Sequence, residues 1–202
     1  MFRLVVCGSF SGMAKKPKKE DISAAQVRLL LERMARLLRS ASHSNGLHPA
    51  QWEALRYLAH ANSFSNSPRA LASYLGATKG TISQTVTVLI KKGLVEKAVR
   101  SGDVRSVVLN VTPTGLKVLN DDPLAHIEKS ISALGDKTRK KFSKGLVEVL
   151  QSETLRQKQP RFGDCGSCRY FRKSDANYCM KFEVDISPQD LKLLCVEFVS
   201  SN

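Results

Sequence analysis

No stretch of this chain approaches the roughly 20 consecutive apolar residues that a membrane helix needs, which excludes a spanning protein. Acidic residues are scarce: 18 Asp+Glu face 32 Lys+Arg, a net charge of +14 over 202 residues. Such an excess implies a polyanionic partner, most simply nucleic acid, with an anionic membrane surface as the alternative. Catalytic signatures are missing too. There is no paired-carboxylate motif, no Gly-rich phosphate loop, and no nucleophile with a base at a telling spacing. His43, His48, His60 and His126 are scattered, so no enzyme is expected. What the chain does have is 42% hydrophobic residues, enough for a core, which excludes wholesale disorder.

Charge and cysteine divide the chain. Residues 1–160 hold 26 Lys+Arg and 12 Asp+Glu, whereas residues 161–202 hold six of each. Four of the five cysteines lie in that neutral last stretch. At the other end, residues 1–12 carry an apolar run too short for a signal h-region, and the lysines follow it rather than precede it. Residues 1–22 therefore read as a disordered basic tail, with Met13 as an alternative start and no role for Cys7. The expected location is the cytoplasm, at the nucleoid.

Ser23 and Gln26 fit a capping box, and Val27, Leu30, Leu31, Met34, Leu37 and Leu38 follow at helical spacing. Pro49 suits the first position of a second helix, with Trp52, Leu55, Leu58 and Ala59 as its apolar stripe. A polar loop runs from Asn62 to Asn66. Ser67-Pro68 then caps a short helix that Gly76 ends. Thr78 caps the next helix, which buries Ile82, Val86, Leu89 and Ile90 and stops at Gly93. Its outer face presents Lys79, Thr81, Ser83, Gln84, Thr87 and Lys91. Hydroxyls, an amide and lysines are what a recognition helix needs to reach base edges and phosphates. An ordinary helical hairpin with a polar face would share the pattern.

The next segment tips the balance. Val95–Val99 reads as a strand, Arg100–Arg105 as a basic turn, and Ser106–Val111 as a returning strand. A helix-turn-helix followed at once by a basic hairpin is a winged helix. Its tip would carry Arg105 and Arg100 toward a minor groove.

Leu71-Ala-Ser-Tyr-Leu75, Thr81-Ile-Ser83, Leu89-Ile-Lys-Lys-Gly93-Leu-Val95, Gly102-Asp-Val-Arg105-Ser and Val111-Thr-Pro-Thr-Gly115 together resemble the MarR family of winged-helix transcription regulators. The resemblance spans about residues 23–157. It implies a homodimer on a pseudo-palindromic operator in double-stranded DNA, with a recognition helix in each major groove. The family's Asp-x-Arg wing motif maps onto Asp103 and Arg105, where the arginine would touch DNA and the aspartate would orient its neighbours. Thr78 joins the DNA-facing set at the helix start. Two departures stand out: the loop before Ser67 is longer and more polar, and Gln84 stands where many relatives carry arginine. Helices after Thr112 carry Leu116, Val118, Leu119, Leu124, Ile127, Phe142, Leu146, Val149 and Leu150. The resemblance implies that they interlock with the first helix across the dimer, and the apolar surface of that first helix agrees.

The last segment, 158–202, opens within a linker at 157–162. It contains Cys165, Cys168, Cys179 and Cys195, a C-x2-C-x10-C-x15-C pattern. About 40 residues cannot bury enough core alone, so a cross-link is expected. Disulfides suit an oxidising compartment. Structural zinc takes four thiolates, but its second ligand pair is usually another close knuckle. An iron–sulfur cluster, of the 4Fe–4S kind, also takes four thiolates and tolerates scattered ligands. Tyr170, Phe171, Phe182 and Phe198 would shield it. Arg169, Arg172, Lys173 and Lys181 would offset its charge.

The expected architecture is mainly α with a small β-hairpin wing. It comprises a winged helix-turn-helix with a helical dimerisation region (23–157) and a small C-terminal metal-binding module (158–202). The expected function is a DNA-binding repressor tuned by a cluster that senses redox, oxygen or iron. The alternatives are a regulator with structural zinc and a small aromatic effector, and a nucleoid protein binding DNA without sequence preference.

Overall fold

The computed structural model describes residues 22–41, 43–100, 103–173 and 177–201, and only the backbone of residues 100 and 103–106. The basic tail and Cys7 lie outside the described residues. Helix α1, Ala24–Ala41, starts where the capping box predicts. Ser23 N–H donates to Gln26 Oε1 at 2.7 Å, and Gln26 N–H donates to Ser23 Oγ at 3.3 Å. As far as Leu37 it belongs to a unit of its own. It buries no residue: Leu30 is 64% exposed, and Val27, Leu31, Met34 and Leu37 are exposed as well.

Residues 38–202 form the second compact unit. Helix α2 (Pro49–His60) contributes Trp52, Ala54, Leu55, Tyr57 and Leu58 to the core. Helix α3 (Pro68–Leu75) is capped by Ser67, whose Oγ accepts from Ala70 N–H, and ends at Gly76 with φ +59°. That left-handed backbone favours glycine and sharpens the turn into the next helix. Helix α4 (Lys79–Lys91) buries Ile82, Thr85, Val86 and Leu89. The periodicity placed Ile90 inside, yet it is half-buried, and Thr85 takes an interior place. The Thr85 hydroxyl donates to the Thr81 carbonyl at 3.0 Å, which makes its burial tolerable.

Strands β1 (Val95–Arg100) and β2 (Asp103–Val111) pair antiparallel, with Val95 opposite Val111 and Arg100 opposite Asp103. The hairpin is tighter than the sequence suggests. Arg100, Asp103 and Arg105 belong to the strands rather than to a long turn, because pairing continues past an irregularity between Val99 and Arg100. Val95 and Leu109 turn inward and join the helices in one core.

Helix α5 (Pro113–Asn120) begins at a Thr112 cap. Asp121, Asp122 and Pro123 separate it from α6 (Ala125–Ser132), a break where the sequence suggested a bend. Arg56 of α2 grips Asp122 with two hydrogen bonds, 2.6 and 2.8 Å, at a site where both side chains are 18% exposed. Burial raises the Asp122 carboxyl, but the Arg56 hydrogen bonds, the Leu124 N–H and the Arg56 charge outweigh it, and the net shift is downward. A carboxyl held low in the fold stabilises above its unfolded pKa of about 3.9, and that stability is lost as pH falls through the lower folded value. Asp122→Asn should therefore cost about 2 kcal/mol at neutral pH. Urea melts of the two proteins should converge below about pH 4; a constant gap down to pH 2 would count against the pair.

Helix α7 (Asp136–Arg156) buries nothing and exposes Phe142, Leu146, Val149 and Leu150. The cysteine segment then forms a 3-10 turn at Cys165–Ser167. Strands β3 (Phe171–Lys173), β4 (Asn177–Cys179) and β5 (Val184–Asp185) follow as an antiparallel meander, with a second 3-10 turn at Asp190–Lys192. Its own buried cluster is only Cys165, Cys179 and Ile186. Among the described residues no helix is long and apolar enough to cross a membrane.

Candidate nucleic-acid interface and cysteine site

Helix α4 carries the first site. Thr78, Lys79, Thr81, Ser83, Gln84, Thr87 and Lys91 are all exposed, as the periodicity requires. They do not serve alike. Thr78 Oγ1 accepts from Thr81 N–H at 3.2 Å and lies 2.9 Å from Thr81 Oγ1, so these hydroxyls close the helix start. Ser83 and Gln84 lie four and three residues before Thr87, and Lys91 four after it, which aligns them on one outward face. No acidic residue occurs between Glu53 and Glu96, while Arg56, Arg69, Lys79, Lys91 and Lys92 do. The backbone places Arg100, Asp103 and Arg105 on the wing strands, and their side chains lie outside the described residues.

The second site gathers Cys165, Cys168, Cys179 and Cys195. None is disulfide-bonded; Cys165, Cys179 and Cys195 are buried and Cys168 is half-buried. All four line one cavity of about 10 Å³. Local structure explains the convergence. Asp164 caps the first 3-10 turn through Ser167 N–H, which places Cys165 and Cys168 on one side of it. Pairing of Phe171 with Cys179 presents the third thiol. Cys195 N–H donates to the Gly163 carbonyl at 2.9 Å and fixes the fourth. Among the described residues, no three His, Cys, Asp or Glu side chains are grouped as ligands of one metal ion. The four cysteines instead share the lining of that small cavity with aromatic residues.

Burial pushes the Cys165 thiol up to about 11, and the charges of Cys195, Cys179, Cys168 and Asp190 add to it. Burial raises Cys195 as well. Tyr170, Phe171 and Phe182 line the cavity as the sequence suggested. Phe198 does not: its ring covers Gly163, where an added Cβ would meet it at 2.8 Å. Phe64 takes the place instead, stacked on Phe182 with ring centres 4.2 Å apart. Of the basic residues, Lys181 pairs with Glu197 at 2.7 Å and lies over the Tyr170 ring. Arg169 also lies over that ring, and Arg172 donates to the Arg169 and Phe171 carbonyls.

The loop before Ser67 explains its own length. Asn62 and Ser65 are completely buried. Asn62 N–H donates to the Leu194 carbonyl, Leu194 N–H to the His60 carbonyl, and Val196 N–H to Ser65 Oγ, at 3.0, 2.7 and 2.8 Å. Ser63 Oγ donates to Asp190 at 3.0 Å. The polar loop is thus the platform on which the cysteine segment sits. Sequence reasoning missed Asn62, Phe64 and Ser65 because polar residues between helices ordinarily face water; their excess over family length was the available signal.

Comparison with known proteins follows from this geometry. The MarR family model matches residues 45–106. Staphylococcus aureus MepR in its DNA-binding conformation superposes with a TM-score of 0.53 at 20% identity, covering 64% of this chain and 96% of that one. The MepR–DNA complex gives 0.50 at 18%, covering 66% and 99%. CouR from Rhodococcus jostii RHA1 bound to p-coumaroyl-CoA gives 0.50 at 18%, covering 65% and 95%. No curated protein sequence matches. The MarR family consists of transcription regulators, not enzymes. With its capped α3–α4 pair, its basic outward face and its β1–β2 hairpin, the segment 45–106 has the form of a winged helix-turn-helix and is similar to the MarR family over those residues.

Proposed function

We propose that this chain is a dimeric DNA-binding repressor whose DNA affinity is set by an iron–sulfur cluster held by Cys165, Cys168, Cys179 and Cys195. The observation that carries it is that four cysteines spread over 31 positions line one cavity. The donor set fits a cluster: four sulfurs, no histidine in the segment, aromatic walls. It fits a single zinc less well. Its second ligand pair is usually another close knuckle, whereas Cys179 and Cys195 are isolated, with fifteen residues between them. When bound, the cluster supplies a redox-sensitive cross-link to a segment with almost no core. The chain's own residues do the rest. The α4 face reads a major groove, the wing reaches the adjoining minor groove, and the exposed apolar stripes of α1 and α7 seek a second copy.

The test is purification without oxygen, followed by metal and sulfide analysis, a visible spectrum and an operator titration before and after oxidation. A brown protein with iron, sulfide and redox-dependent DNA binding supports the reading; a colourless protein with one zinc per chain ends the sensor role. Gln84→Ala should weaken operator binding by about 1–3 kcal/mol and relax preference at one base pair. Lys91→Ala should weaken all sequences alike and reduce the salt slope by about one. Competition with random DNA at fixed salt would expose a nucleoid protein, for which Gln84→Ala changes nothing.

A second reading rests on a cleft of about 1050 Å³ lined by Tyr57, Tyr74, Phe162, Phe198, Arg161 and Lys192. Aromatic walls with cations suit an aromatic acid. Quenching of Trp52 by p-hydroxybenzoate, with release of DNA and no change in metal content, would favour it.

A further inference from the structure

The cavity that the four cysteines line is not closed by the cysteine segment alone. Of the described residues that line it, all but Phe64 lie between Cys165 and Glu197. Phe64 belongs to the polar loop before α3, and loops of that kind run over the surface. Its ring is nevertheless half-buried and stacked on Phe182, with ring planes 8° apart and centres 4.2 Å apart. The loop is built to hold it there. Phe64 N–H donates to Asn62 Oδ1 at 3.2 Å, and Ser65 N–H donates to the Asn62 carbonyl at 2.9 Å, which closes a tight turn. Before the ring, Ser63 N–H and Oγ donate to the Asp190 carboxylate at 3.3 and 3.0 Å. After it, Ser65 Oγ accepts from Val196 N–H at 2.8 Å. Both neighbours of Phe64 are thus fastened to the C-terminal segment.

The same turn is tied to the reading head. Leu194 N–H donates to the His60 carbonyl at 2.7 Å and Val196 N–H to Ser65 Oγ, so the residues on either side of Cys195 are bonded to it. The Ser65 carbonyl accepts from the Tyr57 hydroxyl at 2.8 Å. The Asn66 carbonyl accepts from Leu109 N–H at 2.7 Å, and Asn66 Nδ2 donates to Asn110 Oδ1 at 3.2 Å. Leu109 and Asn110 belong to wing strand β2. One short turn therefore touches the cysteine cavity on one side and the wing on the other.

We propose that Phe64 is the gate of the cysteine site: the DNA-binding domain supplies the ring that keeps water, chelators and oxidants from the four cysteines, and the turn carrying that ring passes the state of the site to wing strand β2. The apolar shell around a metal site governs solvent access to it. Here part of that shell is borrowed from the other segment, so the site opens only if the turn yields, and the turn yields only if its bonds to β2 shift. This rests on the reading of the four cysteines as a metal site and deepens it by naming where that site meets the wing.

The experiment compares full-length wild type, Phe64→Ala, Phe64→Tyr and Phe198→Ala, each purified without oxygen. Two probes are used: release of iron to a chelator, and labelling of Cys165 and Cys179 by N-ethylmaleimide, read peptide by peptide. Phe64→Ala should speed both by about 2–10-fold, the worth of one aromatic pair. Phe64→Tyr, which keeps the ring, should restore wild-type rates. Phe198→Ala removes a ring of the same segment that does not line the cavity, and should leave both rates near wild type. Stripping the iron from wild type should speed hydrogen exchange at the Leu109 amide. Should the alanine variant fail to fold, Phe64→Leu replaces it. Wild type isolated without metal overturns the cluster reading, and the gate is then decided by labelling alone: faster in Phe64→Ala upholds it, equal rates overturn it. Iron-bearing wild type beside a Phe64→Ala protein with unchanged release and labelling overturns this inference and leaves the cluster reading standing. Equal acceleration by Phe198→Ala shows that Phe64 merely packs, and overturns the gate. Leu109 exchange that ignores stripping, or labelling in metal-free protein, overturns the link to the wing.

Discussion

Gly115→Ala will unseat helix α5 from the wing and lower the stability of the DNA-binding domain by about 3 kcal/mol. For a chain of this size that is a fall of about 10 °C in melting temperature. A Cβ at Gly115 would stand 2.2 Å from the Leu94 carbonyl oxygen and 2.7 Å from Val111 Cγ1. Neither neighbour can retreat cheaply. The Leu94 carbonyl accepts from Thr112 N–H at 3.0 Å, and Val111 is the last residue of β2, paired with Val95. The Thr112 hydroxyl meanwhile donates to the Gly93 carbonyl at 2.6 Å and accepts from Gly115 N–H at 3.1 Å. Backbone conformation is not the reason for this glycine; close approach of helix to strand is. Gly145→Ala is the control, because a Cβ there meets nothing within 4 Å and alanine is the better helix former. Circular-dichroism melts decide the matter. If Gly115→Ala melts with the wild type, the α5–wing junction is looser than described.

The second large effect belongs to the cysteine segment. Cys179→Ser, or removal of the proposed metal, should unfold residues 163–200 while the winged helix stays folded. The segment's interior is Cys165, Cys179 and Ile186, with Tyr170, Phe171, Phe182 and Leu191 partly covered. That is little apolar burial to offset the ordering of some 40 residues, and the proposed metal would supply the difference as a cross-link. Structural metals of this kind contribute on the order of 10 kcal/mol. Limited proteolysis should cut the variant within the segment and leave residues 45–157 intact. Operator affinity should change about five- to 150-fold, the usual size of a coupling between two sites. A variant that resists protease as the wild type does would show that packing on residues 61–66 suffices.

Much of this was legible in the chain itself, because helix caps, glycine stops and hydrophobic periods are local. Ser67 and Thr78 cap helices, Gly76 adopts the positive φ that ends one, and Ser83, Gln84 and Thr87 face outward on α4. The register of the wing was not legible. Arg100 pairs with Asp103 because a strand extends as far as its partner permits. Nor was the exchange of Phe198 for Phe64 at the cysteine cavity. Two rings 134 positions apart in sequence can trade places only when the fold brings their segments together.

The sequence by itself determined the winged helix-turn-helix, its basic outward face, and the presence of four thiols in a neutral segment with too little core to stand alone. These follow from periodicity, capping and composition, each a property of neighbouring residues. Only the tertiary structure decided that the four cysteines line one cavity, and that the polar loop before Ser67 is interior. Asn62 and Ser65 carry no mark of burial in their own chemistry. They are buried because Leu194, Cys195 and Val196 lie across them and satisfy their backbone and hydroxyl groups, a contact between segments about 130 residues apart.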